Sequence, residues 1–101
     1  KITVMSYCKD LKAGDLIMVT YSNKMHPAVF SSVGIRQNPR FYLMSQGKID
    51  YLRQHGTIYR DYLTRDNWQK SIVKVNPNDM DDSVRHMYDE FINLLQEKGK
   101  L

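Results

Sequence analysis

The sequence contains one cysteine, three prolines and five glycines, and no purely apolar run in it exceeds the four residues at 16–19. A lone Cys8 excludes an internal disulfide and a cysteine-based zinc site built from this chain alone, and it fits a reducing, cytoplasmic compartment. Apolar runs that short fall far below the roughly 18 residues a spanning helix needs, and nothing near Lys1 reads as a signal sequence, so no membrane association is expected. Glycines scattered singly form no phosphate-cradling loop, and sparse glycine and proline exclude a collagen-like chain. The three histidines, His26, His55 and His86, stand far apart without paired-ligand spacing, so neither a metal centre nor a cofactor is expected. Ser31-Ser32 lack the flanking glycines of a nucleophile elbow. Asp79, Asp81 and Asp82 lack the glycine and closing glutamate of a divalent-ion loop and read instead as helix-capping residues.

What is present is ordinary for one globular domain: 101 residues, 42% apolar and 26% charged. A chain of this size leaves little room for a second core, so 1–101 reads as one unit. Its charge is uneven. Residues 1–78 carry twelve basic and five acidic side chains, net +7, whereas residues 79–101 carry three basic and six acidic, net −3. A body this basic attracts polyanions or an acidic protein face, through a field that salt screens over about 10 Å.

Along the body, β-branched residues predict a short opening strand over 2–7, and Gly14-Asp15 supply a tight turn into a stronger strand over 16–21 that is covered on both sides. A polar loop over 22–27, closed by Pro27, is expected to lead into a strand over 28–33, and residues 34–39 carry hairpin chemistry before a strand over 40–44. A helical turn is expected over 48–55, with Ile49, Leu52 and Tyr51 inward and Gly56 at its end. Further strands are expected over 57–64 and 71–75. In the tail the period changes. Val84, Met87, Tyr88, Phe91, Leu94 and Leu95 recur every three and four residues, with Ile92 widening the stripe, which predicts an amphipathic helix with Asp79 as N-cap and Gly99 beyond its end. The expected class is α+β: a small antiparallel barrel or bent sheet of five to six strands in 1–78, capped by the C-terminal helix in 79–101.

The run Leu11-Lys12-Ala13-Gly14-Asp15-Leu16-Ile17 resembles the opening of SH3-like small β-barrels, which implies a fold of that kind. His26-Pro27-Ala28-Val29-Phe30 after a Gly-Asp-Leu strand is similar to papain-like peptidases and acyltransferases. In those families the nucleophilic cysteine lies well upstream or well downstream. Here Cys8 stands only eighteen residues before His26, so that resemblance implies a related sheet without the reaction, or a thiol hydrolase using Cys8 and His26. The compact size and plain style are similar to small accessory proteins of tailed phages, which implies a regulator or inhibitor of a host protein.

One constellation remains, an interleaving of basic and aromatic residues: Arg36, Arg40 and Tyr42 in the hairpin region, then Arg53, Tyr59, Arg60, Arg65, Trp68 and Lys70, with Tyr62 among them. Arg, Tyr and Trp dominate protein–protein hot spots. Aromatic faces also stack on bases while cations neutralise phosphates. Tyr59 and Arg60 would face opposite ways on a regular strand. The expected function is a non-enzymatic module docking on an acidic partner protein, with nucleic-acid binding as the alternative.

Overall fold

A computed structural model of the protein describes residues 10–64 and 68–101. The strand expected over 2–7, Cys8 and Arg65 lie outside the described residues.

Gly14, at φ +96°, turns the chain into the first strand, and the Asp15 carboxylate locks that turn by accepting the Lys12 backbone N–H at 2.8 Å. Strand β1 (Leu16–Tyr21) then reverses into β2 (Lys24–Val33) through Ser22 and Asn23, both in the left-handed region. Those paired positive φ values match the right-handed twist of the strands they join. β2 therefore begins four residues before the expected Ala28. Pro27 does not end the ladder, because its carbonyl still accepts the Met44 N–H at 3.0 Å. A loop with Gln37 at φ +63° leads to β3 (Pro39–Leu43), and the register against β2 shifts between Phe30 and Ser32, the mark of a bulge.

Helix α1 (Gln46–His55) follows, with Ser45 Oγ accepting the Lys48 N–H at its start and Gly56, at φ +73°, donating to the Leu52 carbonyl at its end. Ile49 and Leu52 point inward as expected, but Tyr51 is 45% exposed. β4 is only Asp61–Tyr62, and β5 is Ile72–Lys74 after a 3₁₀ turn at Trp68–Ser71. The five strands lie in the order β4-β3-β2-β1-β5, each antiparallel to its neighbour. Among the described residues β4 and β5 are the two edges, so the sheet they form is open. The barrel alternative is corrected for a physical reason: most of the expected 57–64 strand leaves the ladder, and two residues cannot close a sheet.

Helix α2 (Asp82–Glu97) follows a 3₁₀ turn at Pro77–Asp79. That turn is capped by Asn76, whose Oδ1 accepts the Asn78 N–H at 2.9 Å. Asp79, the expected N-cap, is thereby used inside the turn, and Asp81 takes the N-cap position in its place.

Alternation along the strands divides the core in two. Leu16, Val29, Tyr42 and Met44 face the helices and pack with Ile49, Leu52, Phe91 and Leu95. The other face carries Ile17, Val19, Ala28, Phe30 and Phe41, packed with Leu11, Ile72 and Trp68. The expected tail stripe is the inner face of α2, and β1 is covered on both sides as its lack of alternation implies.

Tyr88 ties α2 to the first turn, its hydroxyl donating to the Gly14 carbonyl at 2.5 Å. Burial pushes this phenol above its ordinary pKa, and the Asp15 and Asp89 carboxylates add to the effect. An acid with a raised pKa keeps its proton in the fold after the unfolded chain has lost it. Its stabilisation is thus complete below the unfolded value of about 10 and is lost as pH climbs through the folded one. Tyr88→Phe should lower stability by about 1 kcal/mol at neutral pH and flatten the alkaline decline. Urea titrations at neutral and alkaline pH test both parts.

Candidate functional site

Arg40 and Tyr42 project from the helix-facing side of β3, and Arg40 is the register partner of Tyr62 on β4. The β2–β3 loop contributes Gly34, Ile35 and Arg36 to the same lining, and residues 57–60, running from α1 to β4, contribute Tyr59 and Arg60. Gly99 and Lys100 close the end beyond α2. Together these segments line a groove of about 1000 Å³ that includes Arg36, Arg40, Arg60 and Lys100 and, among the described residues, no carboxylate.

The arginines are held without acidic partners among the described residues. Arg60 Nη1 donates to Ser31 Oγ at 3.2 Å and Ser32 Oγ at 3.4 Å, the two hydroxyls presented by the bulged part of β2. The Arg40 guanidinium lies against Gly34: a Cβ at that position would sit 2.8 Å from Nε and 3.1 Å from Nη2. Glycine at 34 thus serves close approach, and Gly34→Ala should displace the guanidinium while leaving the backbone in place. The expected result is a melting temperature unchanged within about 2 °C and an affinity for acidic ligands about fivefold weaker, equivalent to about 1 kcal/mol. Differential scanning fluorimetry and fluorescence anisotropy read the two effects.

The apolar rim is unusually open. Ile35 is 96% exposed, Tyr59 83% and Tyr62 60%. Tyr59 and Arg60 both reach solvent because residues 57–60 are not a strand, so the expectation of opposite faces does not apply to them.

Other expected site residues have different work. Tyr42 borders the groove, but it is buried in the helix-side core. Trp68 is buried on the far face of the sheet, where its Nε1 donates to the Gln37 carbonyl at 2.8 Å and pins the β2–β3 loop. Neither ring offers a free face for stacking, and both are corrected from contact residues to core residues. Arg53 pairs with Asp50 on α1 and Glu90 on α2, and so ties the two helices together rather than facing the groove. Lys70 is exposed on the 3₁₀ turn and is not among the groove's lining residues.

Sequence reasoning missed Ile35, Gly34 and Lys100. An isoleucine flanked by Gly34 and Arg36 in a turn is a readable anomaly, whereas nothing in the sequence joins Lys100 to a hairpin sixty residues away.

A smaller recess of about 480 Å³ adjoins the groove, lined by Ser45, Gly47, Lys48, Tyr51, Ile58 and Tyr59. Ile58 and Tyr59 belong to both linings. His26 lies on β2, its ring stacked on Tyr21 at 4.0 Å between centroids, with Nε2 buried and without a hydrogen-bond partner among the described residues. Among the described residues no group of three or more His, Cys, Asp or Glu side chains is placed to hold a metal ion, and no helix is long and apolar enough to cross a membrane. No family model matches the sequence, and neither the curated proteins nor the solved structures give a match.

Proposed function

We propose that this chain is a binding module that docks on an acidic partner protein through the groove between the β2–β3 loop, residues 57–60 and the end of α2. The observation that carries this reading is the convergence of Arg36, Arg40, Arg60 and Lys100 on one concavity that no carboxylate lines among the described residues. Like charges gathered without counter-charges raise the local potential and favour an anionic occupant. The rim of Ile35, Tyr59 and Tyr62 favours protein over nucleic acid. An isoleucine exposed at a loop tip can be buried by an apolar partner surface and has no use against a phosphate backbone. With Trp68 and Tyr42 committed to the core, Tyr59 and Tyr62 are the exposed aromatic rings that the described lining of the groove leaves for stacking on bases.

Electrophoretic shift on single- and double-stranded oligonucleotides, beside pull-down of host proteins, separates the two. The expected result is capture of an acidic protein, with no retarded oligonucleotide at physiological salt. A retarded band whose affinity falls steeply with salt would move the assignment to nucleic acid.

A further inference from the structure

We infer that the partner is engaged as an extended acidic segment carrying one bulky apolar side chain, its carboxylates in the cationic groove and the apolar group in the adjoining recess. This rests on the proposed function and specifies its ligand. The two cavities adjoin, because Ile58 and Tyr59 line both. Their chemistry differs sharply across that shared wall. On one side stand the three arginines and Lys100. On the other, Tyr51, Ile58 and Tyr59 supply an apolar lining, with Lys48 as its one charged member among the described residues. A run of carboxylates satisfies the first compartment and cannot satisfy the second, where transfer of an apolar group out of water is the available gain. An apolar peptide satisfies only the second. A segment that is acidic and carries one Phe- or Leu-sized group matches both, and the Lys48 ammonium on that side accepts a further acid beyond the anchor. The partly exposed Tyr51 ring and the exposed Tyr59 ring offer flat, semi-rigid walls for such a group.

The test uses fluorescein-labelled glutamate-rich peptides in which a single Phe is moved along the chain, with an all-glutamate parent, measured by anisotropy on the intact protein. The parent should bind in a salt-sensitive manner. At least one Phe position should bind about tenfold tighter, the order expected for burying part of an aromatic side chain. Gly47→Phe supplies the control: Gly47 lines only the recess, and a Cβ there meets nothing closer than Ser45 Oγ at 3.9 Å. The substituted ring should fill the recess and remove the Phe advantage while leaving the parent peptide's affinity unchanged. Tyr51→Ala, which removes one wall, should also erase the advantage, and melting curves check that both variants fold.

Parent binding with no gain at any Phe position overturns this inference and leaves the docking groove standing. Failure of every peptide to bind at low salt overturns both. Tighter binding of a single-stranded oligonucleotide than of any peptide overturns both in favour of nucleic acid. Concentration-dependent dimerisation that Arg36→Glu with Arg60→Glu abolishes, with no peptide bound, would overturn both and assign the surface to a second copy of this chain instead.

Discussion

Deletion of residues 79–101 is expected to abolish the cooperative thermal transition. Five strands of which one has two residues and another three form a sheet with little area of its own. Its helix-facing side presents Leu16, Val29, Tyr42 and Met44, and α1 contributes only Ile49 and Leu52 to cover them. Phe91 and Leu95, both fully buried, complete that cover. At about 1.5 to 3 kcal/mol for each large apolar side chain taken from water, these two alone match a sizeable part of the roughly 5 to 15 kcal/mol by which a domain is stable. The deletion also removes Glu90 from Arg53 and the Tyr88 hydroxyl from Gly14. A milder version grades the effect: Phe91→Ala should lower unfolding free energy by about 3 to 5 kcal/mol, read by urea titration with the denaturant slope held in view. A truncated chain that still melts sharply would show that the sheet and α1 suffice.

That helix was also the most legible part of the sequence, because a stripe recurring every three and four residues from Val84 to Leu95 admits one reading. Gly14 and Gly56 were legible for a similar reason, since each marks a positive φ that other residues resist. Pro27 misled. Proline reads as a loop residue, but an antiparallel strand tolerates it where only its carbonyl is called on. Residues 57–64 misled in the opposite sense: Ile58, Tyr59, Tyr62 and Leu63 have strand-forming side chains, yet only Asp61–Tyr62 pairs, against Arg40 and Phe41 of β3. Of the contact residues, the arginines at 36, 40 and 60 were readable as a basic cluster. Which of their aromatic neighbours stay in solvent was not, since burial of Trp68 depends on the Gln37 carbonyl thirty-one residues away. Arg53 has the composition of a contact residue and the position of a strut, a distinction that only the packing of α1 against α2 decides.

That distinction makes the second large effect a sharp one. Reversing the three groove arginines together, Arg36→Glu, Arg40→Glu and Arg60→Glu, replaces a field of one sign with its opposite over a single concavity. Loss of a charge-assisted contact weakens binding by about 1.5 to 3 kcal/mol, and turning attraction into repulsion at three neighbouring positions should reduce partner affinity by at least about a hundredfold, or 2.7 kcal/mol. None of the three forms an ion pair with a described carboxylate, and the Arg60 bonds are to exposed-side hydroxyls, so the melting temperature should stay within about 3 °C of the parent. Arg53→Glu is the matched opposite. It sets a new acid beside Asp50 and Glu90 at the α1–α2 contact, so it should lower the melting temperature while leaving affinity near that of the parent. Titration calorimetry and melting curves on the two variants therefore form a crossed pair: affinity lost without stability in one, stability lost without affinity in the other. Loss of affinity in Arg53→Glu in proportion to the charge it removes, two units against six in the triple reversal, would mean that net charge, rather than the groove, recruits the partner, because every reversal lowers the positive charge of the body and only one set of residues lines the concavity.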